Sequence, residues 1–138
     1  MRRIMGIDIG EKRIGIAVSD MLGMTAQGVE TYERKGQGDV VYIADKAKML
    51  GAELIVAGLP LNMNGSEGPS AEKVRQFMDE VEQLGMLIAF QDERLTTVSA
   101  ERTLLEADMS RKKRRQVVDK LAAVYILSTY LDTHANTK

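Results

Sequence analysis

Three acidic positions in this chain stand where a carboxylate is out of place. Asp8 interrupts the apolar stretch Ile4-Met5-Gly6-Ile7-Asp8-Ile9-Gly10, Glu93 (with Asp92 beside it) follows the apolar run 86–90, and Asp119 breaks the apolar segment 117–131. A carboxylate among apolar residues is costly to bury unless something pairs with it. Lys12 or Arg13 could fold back onto Asp8 from the neighbouring turn; a bound cation is the other solution. Carboxylates crowded together raise one another's pKa, and divalent cations relieve the repulsion. Mg²⁺ takes hard oxygen ligands and keeps several waters, so a few carboxylates plus substrate phosphate oxygens suffice. Two such ions about 3.5–4 Å apart stabilise the attacking and the leaving oxygen of an in-line displacement at phosphorus. The run Arg111-Lys112-Lys113-Arg114-Arg115 would hold the flanking phosphates of a polynucleotide. Cations at a helix start oppose the helix dipole, which favours a binding role for them. Lys12, Arg13 and Arg94 complete the candidate nucleic-acid-binding set. Metal-dependent hydrolysis of phosphodiester bonds uses every one of these residues. Asp92 stands as an alternative to Glu93, because neighbours on a strand point to opposite faces and the sequence does not fix where the strand ends. A structural ion pair remains the alternative for Asp8.

These residues need elements that bring them together. The β-branched residues Ile4, Ile7, Ile9, Ile14, Ile16 and Val18 predict two strands joined at Gly10-Glu11-Lys12, with glycine supplying a positive φ. A third strand is centred on 28–32. Asp39 is placed to cap a helix whose apolar face is Val40, Ile43, Ala44, Ala47 and Leu50, ended by Gly51. A buried strand over 53–58 follows, then an irregular loop over 59–69 in which Asn62 and Asn64 shape a turn. The next helix spans 70–84 with Ala71, Val74, Phe77, Met78 and Val81 inward, and a short strand spans 86–90. Thr96 and Thr97 are read as caps for a helix over 98–107. Ser110 would cap the last helix, whose apolar stripe is Val117, Leu121, Val124, Ser128 and Leu131, before a frayed tail at 134–138. Ala122 and Ala123 lie on the face of Asp119 and would let that helix approach a strand closely. With the first strand central in the sheet, Asp8, Glu93 and Asp119 converge at one end of it.

The bulk numbers agree with such a domain. The 138 residues suit one domain over 1–138 with a single core. An apolar fraction of 44% and a charged fraction of 28% predict a soluble globular chain. The net charge of −1 means that any polyanion-binding surface is local. Cysteine is absent, which excludes thiolate–metal sites and suits a reducing, cytoplasmic setting. His134 is the only histidine. No apolar run approaches the ~20 residues of a membrane span.

In combination and in order, four motifs resemble the YqgF/RuvX family over nearly the whole chain. They are Gly6-Ile7-Asp8-Ile9-Gly10 with Lys12-Arg13-Ile14-Gly15, Gly58-Leu59-Pro60-Leu61-Asn62-Met63-Asn64-Gly65, the hexapeptide 92–97, and Val118-Asp119-Lys120-Leu121-Ala122-Ala123. The resemblance implies an α/β, RNase H-like fold related to the RuvC resolvases: a mixed five-stranded sheet, its first three strands antiparallel and the rest parallel, flanked by helices. It implies a nuclease, a hydrolase acting on ester bonds, with Mg²⁺ or Mn²⁺ held by Asp8, Glu93 and Asp119. The expected substrate is pre-16S rRNA at its 5′ end, in ribosome biogenesis, with small-subunit precursors as partners. A Holliday junction resolvase is the alternative. RuvC-type resolvases carry an acidic residue three positions after the last aspartate, and Ala122 stands there. A non-catalytic, nucleic-acid-binding ribosome assembly factor is another alternative. A phosphotransferase like the actin-like ATPases is disfavoured, because two such domains are needed to enclose ATP. No feature forces a dimer, so a monomer without membrane contact is expected.

Overall fold

The computed structural model of the chain describes residues 3–95 and 111–134. Strands β1 (Arg3–Ile9) and β2 (Arg13–Ser19) form the expected hairpin, antiparallel, with Asp8 opposite Gly15. Gly10 does not adopt the positive φ expected of it. Its N–H donates to the Arg13 carbonyl at 2.9 Å, and a Cβ there would lie 2.9 Å from that same oxygen, so closeness is what demands glycine. Strand β3 (Ala26–Glu33) pairs antiparallel with β2. Helix α1 (Asp39–Met49), strand β4 (Ala52–Leu59), helix α2 (Pro69–Gln83) and strand β5 (Leu87–Asp92) follow. A 3-10 turn (Glu93–Leu95) and helix α3 (Arg111–His134) complete the described chain. The sheet order is β3-β2-β1-β4-β5, with β1, β4 and β5 mutually parallel and β1 central, as expected.

Strand alternation gives the sheet two apolar faces. Met5, Ile7, Ile14, Ile16, Ile55 and Ala57 pack on one side with Ile43 of α1 and Val74, Met78 and Val81 of α2. Ile4, Ala17, Val56 and Ala89 face α3, meeting Ala122, Ala123, Ile126 and Leu127. Burying a side chain the size of Ile126 or Leu127 contributes roughly 1.5–3 kcal/mol.

Two further sequence expectations need correction. Helix α3 buries Val118, Ala122, Ala123, Ile126, Leu127 and Leu131, whereas Leu121, Val124 and Ser128 are only half-buried. The helix presents its small residues because the sheet beneath is floored by glycine. A Cβ on Gly6 would lie 2.7 Å from the Cβ of Leu127, and one on Gly15 would overlap the carbonyl oxygen of Asp119. Asp39 does not cap α1: Gly38 is the N-cap residue, and no side chain caps it. The Asp39 carboxylate turns back, buried, onto the loop that precedes the helix, where it accepts from Tyr32 Oη, Arg34 Nε and the N–H groups of Lys35 and Gly36. Gly51 ends α1 at φ 72°, as expected. The loop turn is shaped by Asn62 and Asn64 as expected: Asn64 Oδ1 accepts from Ser66 N at 3.0 Å, and Asn62 Nδ2 donates to Ser66 Oγ at 2.9 Å. The helix expected over 98–107, the caps Thr96, Thr97 and Ser110, and the tail 135–138 lie outside the described residues. Among the described residues, no helix is long and apolar enough to cross a membrane.

Candidate active site

Each of the three carboxylates reaches the α3 side of the sheet for a local reason. Gly6 lies under Leu127, so Asp8, two residues further along β1, shares that face. Gly15, opposite Asp8 in the hairpin, is where the backbone of Asp119 rests. A bare glycine on β2 is therefore what lets α3 set Asp119 down beside Asp8. In β5, Ile88 and Phe90 belong to the α1/α2 side and Ala89 to the α3 side. Asp92 has the parity of Phe90, and Glu93 that of Ala89. A Cβ on Gly58 would lie 2.8 Å from Glu93 Oε1, so the Glu93 carboxylate lies over β4 on the α3 side.

Asp8, Glu93 and Asp119 line one open cleft of about 720 Å³. It lies at the carboxyl ends of β1, β4 and β5, where α/β sheets bind their ligands. Asp92 does not line it. Arg94 grips Asp92 through Nη2 at 2.8 Å and through its own N–H at 2.8 Å. The Arg94 guanidinium holds the Asp92 carboxyl below the usual carboxylate range. Nη1 of Arg94 also donates to the Met63 carbonyl at 2.9 Å, tying the 3-10 turn to the loop after β4. Arg13 donates from Nε to Asp119 Oδ2 at 2.8 Å. Of the turn cations, then, Arg13 serves the carboxylate of α3, while Lys12 is exposed. The side chains of Arg111, Lys112, Lys113, Arg114 and Arg115 lie outside the described residues.

The donor set is oxygen only, with no thiol or imidazole in the cleft, which is the chemistry a hard divalent cation requires. Among the described residues, no group of three or more Asp, Glu, His or Cys is gathered closely enough to hold an ion. The three carboxylates share the cleft wall, with Asp119 drawn to Arg13.

The opposite wall was not legible in the sequence. It carries Arg34, from the loop after β3, and Ser70, Lys73, Gln76 and Glu80 from α2. The α2 residues follow helical spacing from the loop that ends β4, and that loop's place at the ligand-binding edge is the signal from which their common face could have been found. No local motif marks Arg34.

The family model described as "RuvX: Holliday junction resolvase" matches residues 2–133. A Moorella thermoacetica protein named "Putative pre-16S rRNA nuclease" is 53% identical over 132 residues, covering 94% of each chain. A Clostridioides difficile protein of the same name is 53% identical over 137 residues, covering 98% of this chain and 97% of that one. Among solved structures, Thermus thermophilus RuvC in complex with a Holliday junction substrate superposes with a TM-score of 0.59 at 14% identity, covering 99% of this chain and 98% of that one. The fowlpox virus Holliday junction resolvase gives 0.55 at 11% identity, covering 95% and 99%. At such identities these two structures speak for the RNase H-like, resolvase-type fold alone. With the family model spanning nearly its whole length, the chain belongs to the RuvX family.

Proposed function

We propose that this chain is a metal-dependent endonuclease that hydrolyses phosphodiester bonds in RNA, acting on the 5′ end of pre-16S rRNA during ribosome biogenesis. The observation that carries this reading is that Asp8, Glu93 and Asp119, from three different elements, line one open cleft at the carboxyl ends of the parallel strands. The names of the curated relatives point to the rRNA precursor as substrate. Asp8, Glu93 and Asp119 would hold Mg²⁺ or Mn²⁺, and a bound divalent ion supplies an activated water and stabilises the departing oxygen. Arg13 keeps the Asp119 carboxylate oriented and charge-balanced, and Arg94 holds Asp92 out of the cleft. The basic run 111–115, with Lys12, Arg13 and Arg94, supplies phosphate contacts for the strand. The chain works as a single monomeric domain over 1–138 in the cytoplasm. A four-way DNA junction is a second reading, favoured by the family description and by the RuvC-like fold. Ala122 speaks against it: the position acidic in RuvC-type resolvases is buried against Val56 and Ile126, so the cleft receives no further carboxylate there. The test is cleavage of a 5′-extended small-subunit rRNA fragment by wild type and Asp8→Asn. RNA cutting lost in the variant supports the nuclease; paired cuts in a junction support the second reading; binding without cutting supports an assembly factor.

A further inference from the structure

The nuclease reading leaves Arg34 without a role, yet among the described residues no cation lining the cleft is built in more firmly. Its Nε donates to Asp39 Oδ2 at 3.1 Å, its Nη1 donates to the Gly10 carbonyl at 2.8 Å, and its guanidinium lies over the Phe77 ring, 5.3 Å from the centroid. Asp39 is 1% exposed and is itself fixed by Tyr32 Oη at 2.8 Å and by two backbone N–H groups at 2.9 and 3.0 Å. Nη2 of Arg34 makes no hydrogen bond among the described residues. A guanidinium held on two sides with one edge still available is pre-organised to take a phosphate oxygen, because little side-chain entropy is left to lose.

Its position says which phosphate. Arg34 lines the carboxylate cleft and also a second cavity of about 430 Å³, formed with Gly36, Gly38 and the α2 residues Phe77, Glu80 and Gln83. The two cavities meet at Arg34, Phe77 and Glu80. On the cleft side Lys73 adds a second cation, its side chain 71% exposed and only loosely paired with Glu11, 4.0 Å away. Glu80 is the anion at the junction and disfavours any phosphate placed off Arg34. We infer that Arg34, positioned by Asp39, grips the phosphate of a single nucleic-acid strand where it leaves the carboxylate cleft and passes into the groove between α2 and the β3–α1 loop. The inference rests on the reading of the cleft as a nucleic-acid site and does not require that cleavage occur.

The test is fluorescence anisotropy of a short 5′-fluorescein-labelled single-stranded RNA, in EDTA, across a salt series. Wild type, Arg34→Gln, Arg34→Lys and Asp39→Asn are compared, with thermal melts confirming that each is folded. Arg34→Gln is expected to weaken binding about tenfold, the scale of one charge-assisted hydrogen bond. It is also expected to flatten the slope of log affinity against log salt by about 0.7, the value for one lost phosphate contact on a single strand. Arg34→Lys keeps the slope and recovers part of the affinity. Asp39→Asn removes a negative charge, so simple charge arithmetic predicts tighter binding; loss of the positioning contact predicts weaker binding. An unchanged slope in folded Arg34→Gln, tighter binding by Asp39→Asn, or no binding by wild type at low salt overturns the inference. Cleavage that depends on Asp8 alongside an unchanged Arg34→Gln slope sinks the inference alone. An Arg34-dependent slope without Asp8-dependent cleavage sinks the nuclease reading alone.

Discussion

At the scale of single residues, the choice between Asp92 and Glu93 turns on one step of strand parity. The sequence showed two adjacent carboxylates and could not say where β5 ends. The structure carries β5 through Asp92, which puts Asp92 on the side of Phe90 and in the grip of Arg94, and leaves Glu93 over Gly58 in the cleft. Glu93→Gln is therefore expected to lower cleavage of the rRNA fragment more than about 100-fold. Asp92→Asn acts only through Arg94 and the loop it braces, and is expected to cost about tenfold, the low end for losing a supporting hydrogen-bond partner. Single-turnover rates of both variants, with folding verified by circular dichroism, check this; equal losses would contradict the assignment. Asp8 and Asp119 were legible because each breaks an apolar run. Arg34 was not: its partners Asp39, Gly10 and Phe77 come from three separate elements, and no spacing in the sequence records that meeting.

At the scale of elements, the seating of α3 on the sheet decides whether the site forms. The alanines of α3 could be read as a close-approach surface, but the matching glycines lie over a hundred residues earlier, in a hairpin whose glycines read first as turn and strand residues. Hydrophobic periodicity alone picked the stripe through Leu121 and Val124, because it ranks residues by apolar size, while Gly6 and Gly15 select for smallness. Gly15→Ala would drive a methyl group into the backbone of Asp119 and is expected to cost about 3 kcal/mol, at the upper end for overpacking. Gly28→Ala would first meet the Lys120 side chain, at 2.7 Å from Cγ, which can swing away. Urea denaturation of the two variants is expected to show a much larger loss for Gly15→Ala; equal losses would contradict the close seating of α3. The loop between β3 and α1 carries a pH signature of its own. Burial pushes the Asp39 carboxyl up, but hydrogen bonds from the Lys35 N–H, Tyr32, Arg34 and the Gly36 N–H outweigh it and hold the carboxyl below its usual range. A carboxyl lowered in the folded state contributes its full stability above its unfolded pKa of about 3.9 and loses it as pH falls through the folded value. Denaturation midpoints measured from neutral pH into acid are expected to fall less steeply in Asp39→Asn than in wild type. Parallel curves would show that Asp39 carries no such linkage.

At the scale of the whole molecule, the charge pattern is one of local opposition. The net charge is −1, so long-range attraction does not bring a polyanion to this chain. Attraction is local instead: among the described residues the cations at the cleft are Lys73 and Arg34 in its lining and Arg13 beside Asp119. The fold itself was legible almost in full, because β-branched strands, turn glycines and helical apolar faces agree at every level from the hairpin to the doubly covered sheet. The cleft's α2 wall was not, since no residue type or spacing separates Ser70, Lys73, Gln76 and Glu80 from an ordinary solvated helix face. The measurement that bears most directly on the function is cleavage of a 5′-extended 16S rRNA precursor fragment with Mg²⁺ or Mn²⁺, wild type beside Asp8→Asn, with a four-way DNA junction and an unrelated single-stranded RNA in parallel. Metal-dependent cutting of the precursor by wild type, lost in folded Asp8→Asn, is the expected result. Full cutting retained by Asp8→Asn, in preparations free of contaminating nuclease, would contradict a carboxylate-centred active site.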